Sequence, residues 1–381
     1  MKILVSAGEA SGDLYAALLV AELRRRWPGA EFFGCTGPRL RAAGVRTVVD
    51  AASLAVVGLF EVIGHIPRIW GEFRKLSAAA REARPDLAIL TDSPDFHLRL
   101  AKRLRRQGVP VVYLIAPQAW AWRKYRVRAM RRDLRHLLCI FPFEEEFFRK
   151  EGVETTYLGH PLAGTVRPSL AREEFFRKHR LPGSRPLITV LPGSRRGEAS
   201  RHLPELLDAV DRLNRWKAFS FVLPASATTG AAFFRERIGS VPIQVIEGES
   251  WDAMAHADLV LAASGTVTIE AALLGAPMVT FYRVAQVSWT AGRWLVQAPF
   301  LSMVNLVAGR QIVPELMQRE MTGERIAGEA RRLLEDEAAR ARMRADLAET
   351  AARLSVPGAA PMERAAAVIE RLMEGQVAHV S

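Results

Sequence analysis

The feature that most restricts how this chain can fold is a recurring unit. A short aliphatic run stops abruptly in Gly, Pro, Ser or Asp, and residues at helical spacing follow. Residues 3–6 lead into the loop 8–13 (GEASGD), after which Leu14, Leu18, Leu19, Leu23 and Trp27 recur at helical spacing until Pro28-Gly29. Residues 32–33 open another strand. The run 87–90 ends in Thr91-Asp92-Ser93-Pro94, 111–115 in Ala116-Pro117, and 137–141 in Pro142. The pattern restarts beyond a polar stretch at 165–185. Residues 187–191 run into Pro192-Gly193-Ser194-Arg195, and 219–223, 245–246, 259–262 and 278–281 read as further strands. Residues 266–274 read as a helix, and from Gly323 the chain is helical and rich in Ala and Arg. Strands alternating with helices predict βαβ units in parallel sheets. A length of 381 residues exceeds one ordinary core, so two domains are expected, with the boundary near residue 170.

The chain carries 53 Lys plus Arg against 41 Asp plus Glu, a net charge of +12. Such an excess suits an anionic partner (nucleic acid, anionic lipid or a phosphorylated substrate), or reflects only an arginine-rich composition. Cys35 and Cys139, the two cysteines, are far apart and sit in strand-like runs, which fits a reducing compartment and no metal site. The first apolar run is too short for a signal peptide, and no stretch approaches the 18 or so apolar residues of a membrane span.

Ligands of open parallel sheets bind beyond the carboxyl ends of the strands, so the loops there carry the functional signal. In GEASGD the glycines allow close backbone approach, yet Glu9 and Asp13 argue against a phosphate cradle; Ser11 or Asp13 suits a helix cap. At 91–97, Asp92 is the candidate acid/base group, and Asp95 suits the cap of the next helix. The segment 116–123 (APQAWAWR) interleaves aromatics and cations, with Gln118 and Trp120 at the strand end and Arg128 to Arg132 as a solvated basic face. Ser194 and Arg195, after the strand 187–191, offer amides and a cation to a diphosphate. Ser264, Gly265 and Thr266 open a helix, another natural anion site, and Glu270 one turn on suits a ribose diol.

Taken together, GEASGD (8–13), TGPRL (36–40), TDSPDFH (91–97), APQAWAWR (116–123), LGHPLAG (158–164), LPGSR (191–195), SGTVTIE (264–270), MVTFYRV (278–284) and NLVAGR (305–310) resemble the lipid-A-disaccharide synthase family. The resemblance implies an α/β GT-B glycosyltransferase: two Rossmann-like parallel-sheet domains facing a cleft, with a helical C-terminal tail. It implies an N-terminal acceptor and membrane-facing domain at 1–170, a UDP-sugar domain at 171–340, and helices at 341–381 packing back on the first. The implied reaction moves diacylglucosamine from UDP to diacylglucosamine 1-phosphate. The products are a β-1,6 disaccharide phosphate and UDP, with inversion at the sugar carbon. The family's functional residues match Glu9, Asp92 as general base, Arg195 and Asn305 here, and Arg283 falls in the matched MVTFYRV segment. Gly164 stands where the family often has aspartate, and His97 where it often has asparagine.

An inverting transfer then assigns Asp92 to the acceptor 6-hydroxyl, Arg195 with the Ser264–Thr266 amides to the diphosphate, Glu270 to the ribose, and Glu9 and Asn305 to sugar alignment. With cations supplied by the chain and no Asp-x-Asp motif, neither metal nor cofactor is expected. Acylated substrates require access to a bilayer. Phe60, Val62, Ile63, Ile66, Ile69 and Trp70, flanked by Arg68, Arg74 and Lys75, suit either an interfacial segment or a buried helix. The expected location is cytoplasmic, on the anionic inner face of the inner membrane of a Gram-negative-type bacterium. The resemblance also suggests a homodimer with exchanged C-terminal segments. Rival readings are another UDP-N-acetylhexosamine enzyme of GT-B fold, an epimerase or a transferase to a non-lipid acceptor, and a basic nucleic-acid binder. The dispersed cations disfavour the nucleic-acid reading, and the absent GxGxxG disfavours a nicotinamide enzyme.

Overall fold

The computed structural model describes residues 1–54, 61–121, 125–284 and 299–377, with backbone alone at 61–66 and 376–377. The chain divides into two compact units, Met1–Pro161 with Val356–Ser381, and Leu162–Ser355.

The first unit is built on seven parallel strands: β1 (Lys2–Ala7), β2 (Glu31–Thr36), β3 (Arg46–Asp50), β4 (Leu87–Thr91), β5 (Val111–Leu114), β6 (His136–Cys139) and β7 (Thr155–Tyr157), in the order β3-β2-β1-β4-β5-β6-β7. Both faces are covered, so the central strands read as continuous apolar runs with every residue buried. The two-residue period still sorts them. Leu4, Ala88, Leu90, Val111 and Tyr113 pack on one face with Phe73, Leu100 and Met130, which come from the helices Glu61–Ala83, Pro94–Arg106 and Tyr125–Asp133. Ile3, Val5, Leu87, Ile89 and Val112 pack on the other with Leu19 and Leu23 of the helix Ala10–Arg26 and Ile369 of the helix Pro361–Val377. The helix Ala10–Arg26 buries Ala16, Leu19, Val20 and Leu23, whereas Leu14 and Leu18 of the expected stripe stay 39% and 47% exposed.

The second unit carries six parallel strands among the described residues: β8 (Leu187–Leu191), β9 (Ser220–Ala225), β10 (Ile243–Glu247), β11 (Leu259–Ala263), β12 (Met278–Tyr282) and β13 (Glu315–Met317), in the order β10-β9-β8-β11-β12-β13. One core holds it together, with Leu206, Val210, Ile326 and Leu333 closing over the sheet. The helix Glu337–Leu354 belongs to this unit: its Met343 and Leu347 enter the same core. Only the next helix, Pro361–Val377, returns to the first unit. There Glu370 pairs with Arg26, and Ala365, Ala366 and Ile369 are buried. The transition between units therefore falls at Pro161/Leu162 rather than near residue 170, and the return at Val356 rather than 341.

In both sheets the first strand of its unit lies between the second and the fourth, so the chain reverses direction across the sheet between β1 and β4, and again between β8 and β11. Those switch points are where open α/β sheets bind ligands. They place the loop after β1 beside the loop after β4, and the loop after β8 beside the loop after β11.

Candidate active site

In the first unit the pairing of Ala7 with Thr91 brings Gly8 and Glu9 against Asp92. One carboxylate oxygen of Asp92 accepts from the Gly8 amide at 2.8 Å and the other from the Glu9 amide at 3.0 Å. The glycine one turn further on is required by this contact. A Cβ on Gly12 would lie 1.8 Å from Asp92 Oδ2. Burial pushes the Asp92 carboxyl up to about 7, with the Gly8 and Glu9 amides opposing the shift. Its side chain keeps 11% exposure, enough to reach a ligand. A carboxyl group poised near neutrality with one exposed edge is suited to take up a proton.

The backbone beneath Asp92 is unusual. Asp92 (φ +54°) and Ser93 (φ +36°) are both left-handed. The Asp92 carbonyl accepts from the Tyr113 hydroxyl and from His97 Nδ1 at 2.9 Å, and His97 Nε2 lies 2.7 Å from Ser6 Oγ. Since a carbonyl only accepts, Nδ1 carries the proton and Nε2 accepts from the serine hydroxyl. Burial lowers His97 to about 4, so the ring stays neutral. His97, which stands where the family often has asparagine, is fully buried directly under the candidate base. Its only sequence signal is proximity to Asp92.

The neighbouring acids divide differently from expectation. Glu9 is exposed at the start of its helix and caps nothing with its side chain. Asp13 is buried and accepts from the amides of Gly37, Arg39 and Leu40, so it caps the helix Pro38–Ala42 rather than its own. Asp95 pairs with Arg126, and the cap position belongs to Ser93, without a side-chain hydrogen bond. Trp120 donates from its indole to Glu144 at 3.0 Å, and burial pushes that carboxyl up to about 8.

The second unit holds a cavity of about 640 Å³ at its switch point, lined by Ser194, Arg195, Glu198, Ser264, Gly265, Thr266, Glu270 and Tyr282 among others. Ser194 and Arg195 are exposed at its rim. The Ser194 amide donates to Glu198 at 3.2 Å and its carbonyl accepts from Thr229 Oγ1 at 2.7 Å, which fixes the turn. Ser264 Oγ donates to the Leu301 carbonyl at 3.0 Å, and no side chain caps the helix Thr266–Leu273. Its first amides therefore face the cavity with their positive dipole end uncompensated. Glu270 is held by the Trp251 indole at 2.9 Å, and burial raises its carboxyl.

Two expected site residues are placed elsewhere. Asn305 is fully buried, and its amide is saturated. Nδ2 donates to the Val313 carbonyl and Glu315, and Oδ1 accepts from the Ile312 and Val313 amides, all within 2.7–3.0 Å. Glu315 in turn accepts from the Leu301 and Ser302 amides, so Asn305 supports the loop that Ser264 grips. Arg283 does not line the cavity. Its guanidinium donates to Glu205 and to the carbonyls of Gln318 and Met321. His202 is the residue missed here: buried, it joins the Pro192 carbonyl (2.8 Å) to the Arg283 amide (3.0 Å) and so anchors the Pro192–Arg195 turn. Gly164 is exposed with open space around its Cβ position, so the aspartate frequent there in the family would fit without a clash. Of the apolar segment, Phe60 lies outside the described residues, as do the side chains of Val62, Ile63 and Ile66. Trp70 is 45% exposed, stacks on Phe73 at 5.1 Å, and has the Arg74 guanidinium 5.8 Å above its ring. Among the described residues no helix is long and apolar enough to cross a membrane.

Known proteins resemble this chain along its whole length. Solved structures with the same fold include the UDP-GlcNAc 2-epimerase of Neisseria meningitidis bound to UDP-GlcNAc (TM-score 0.64, 14% identity, 98% of this chain and 100% of that one). The calicheamicin glycosyltransferase CalG4 aligns with a TM-score of 0.59 at 18% identity, covering 99% of both chains. At such identities the likeness is one of fold, the two-unit GT-B architecture. Sequence relatives are far nearer: the lipid-A-disaccharide synthase of Solibacter usitatus is 71% identical over 380 residues, the full length of both chains, and that of Myxococcus xanthus 43% identical over 99% of both. Residues 3–369 match the lipid-A-disaccharide synthetase family. The chain belongs to the lipid-A-disaccharide synthase family of glycosyltransferases.

Proposed function

We propose that the protein transfers a 2,3-diacylglucosaminyl group from its UDP donor to the 6-hydroxyl of 2,3-diacylglucosamine 1-phosphate, with inversion, releasing UDP and the β-1,6 disaccharide 1-phosphate. The observation that carries this reading is the Asp92 carboxyl, raised to about 7 and held by two amides at the β1/β4 switch point. Asp92 takes the proton of the acceptor hydroxyl as that oxygen attacks the anomeric carbon. The bond from that carbon to the UDP oxygen breaks on the opposite face. Charge then develops on the diphosphate, where Arg195 and the amides opening the helix Thr266–Leu273 stabilise it. Among the described residues the Arg195 guanidinium has no hydrogen-bond or ionic partner of its own, which leaves it to a ligand. Glu270, held by Trp251, accepts from the ribose, and Glu9 orients the sugar beside Asp92. Asn305 acts at one remove, through the loop at Ser264. The epimerase alternative is disfavoured by 71% identity to a named synthase.

The acylated substrates also call for association with the anionic inner face of the inner membrane. The exposed Trp70, with Arg74 beside it, supports that association through the helix Glu61–Ala83. The test of the reaction is product analysis with UDP-diacylglucosamine and its acceptor phosphate. Asp92→Asn is expected to lose turnover by about three orders of magnitude while still binding UDP. Near-normal turnover of that variant would refute Asp92 as the base.

A further inference from the structure

We propose that Tyr113 and His97 are positioning residues for Asp92: together they clamp its peptide carbonyl and thereby aim its carboxylate. The inference rests on the reading of Asp92 as the base and extends it to two residues that never touch substrate.

Two consecutive non-glycine residues in the left-handed region, Asp92 and Ser93, are unfavourable for L-amino acids and persist only where the surroundings over-determine them. The over-determination is visible on both sides of Asp92. Its carbonyl points into the core and receives two donors, the Tyr113 hydroxyl from β5 and His97 Nδ1 from the helix Pro94–Arg106. Its carboxylate sits on the Gly8 and Glu9 amides, with Oδ1 3.8 Å from His97 Nδ1. Tyr113 and His97 are both fully buried, so turning the peptide would orphan a hydroxyl and an imidazole N–H in an apolar face of the core. Ser6 of β1 completes the frame by holding the far nitrogen of His97. Two elements thus converge on one carbonyl oxygen, and a third, β1, holds one of the two donors in place. A phenylalanine would fill the space of Tyr113 equally well, and among the described residues the hydroxyl's hydrogen-bond partner is the Asp92 carbonyl.

A merely structural hydroxyl would change stability and leave the kinetic constants alone. A positioning hydroxyl changes kcat and the acid limb of the pH profile, and leaves donor KM nearly unmoved, because the nucleotide binds in the other unit. The ionisable groups facing Asp92 are Glu9, His97, Tyr113 and the Cys35 thiol of β2, which burial holds protonated, with Arg126 and Asp95 beyond the tyrosine. His97 and Tyr113 stay neutral near pH 7, so the limb reports Asp92.

The experiment compares wild type, Tyr113→Phe, His97→Ala, His97→Asn and Asp92→Asn in full steady-state kinetics across pH, with thermal melting of each. Tyr113→Phe and His97→Ala are expected to lower kcat roughly 10- to 100-fold with donor KM within about threefold, since a shift of about 1 Å in a reacting group costs that much. The acid limb is expected to move to higher pH as the carboxylate slips from the amides that favour its charged form. His97→Asn, which keeps a side-chain N–H, is expected to recover part of the loss. If His97→Ala fails to fold, Tyr113→Phe decides alone. Should Asp92→Asn be inactive while folded Tyr113→Phe keeps kcat within about twofold and its limb unmoved, the clamp is refuted and the base reading stands. An active Asp92→Asn would refute the base reading itself.

Discussion

The raised Asp92 carboxyl has a consequence for stability that can be measured without substrate. An unfolded aspartate ionises near pH 4, whereas in the folded protein Asp92 holds its proton up to about 7. Between those values the native state binds a proton that the unfolded chain has released. Linkage then makes stability fall as pH rises through this window, and the full cost, about 4 kcal/mol, is present above it. About 2 kcal/mol of that falls between about pH 5.5 and about pH 8, where the rest of the protein is far from acid denaturation. Asp92→Asn removes the titration and keeps the shape. Its amide presents an N–H to one of the Gly8 and Glu9 donors, a penalty that does not change with pH. Urea unfolding of wild type and variant at those two pH values therefore isolates the group. The wild type is expected to lose about 2 kcal/mol relative to the variant on going to the higher pH. Parallel stabilities within about 0.5 kcal/mol would mean that the carboxyl is already ionised at the lower pH, and would remove the reason to see a base tuned to neutrality. The kinetic counterpart is kcat/KM falling about tenfold per pH unit below about 7 in the wild type.

Gly12→Ala tests the glycine of GEASGD: helix propensity alone predicts a gain of up to about 1 kcal/mol. The new Cβ at 1.8 Å from Oδ2 must instead displace the Asp92 carboxylate, and loss of turnover of about 100-fold in a folded protein is expected; undiminished turnover would show the carboxylate is not needed where it lies. Trp70→Glu tests membrane association, and flotation with anionic vesicles is expected to fall at least severalfold with melting unchanged. Retained flotation would exclude Trp70 from the contact.

The central strands were legible because both faces of each sheet are covered, which writes β1, β4, β5, β8 and β11 as largely apolar runs that stop at Gly, Pro, Ser or Asp. The edge strand β3 was not. Arg46–Asp50 buries only Val49, with Val48 half-covered among exposed residues, and carries no such run. Short β7 and β13 escaped for the same reason. Among candidate site residues, strand-end position singled out Asp92, Ser194, Arg195 and Ser264, with Glu270 one helical turn on. The family resemblance brought in Arg283 through MVTFYRV, yet its guanidinium binds β13-side carbonyls, because a matched segment says where a residue is and not what its side chain meets. Asn305, His97 and His202 share a converse property. Each is a buried polar residue bonded to at least two main-chain groups or to one beneath the site, and nothing in a sequence distinguishes those partners from solvent.

The deeper distinction between the two units is also one that residue types alone conceal. Both switch points look alike in sequence: glycine, hydroxyl and acid beside a helix start. Helix N-terminal amides are an anion hole in either case, and the question is what fills it. In the first unit it is filled from within, by Asp92, on the amides of Gly8 and Glu9. No ligand anion can take that place without expelling a carboxylate, so this helix end is committed to holding a protein acid in reach of a neutral ligand group, such as a hydroxyl. In the second unit Glu198 sits on the Ser194 amide and Glu270 is held by Trp251, while the helix Thr266–Leu273 begins without a side-chain cap and Arg195 has no internal counter-ion among the described residues. The anion hole there is left open. In the proposed reaction, one architecture used twice would separate the two demands of glycosyl transfer, a base for the incoming hydroxyl and positive charge for the departing diphosphate, according to whether the protein supplies its own carboxylate at the switch point.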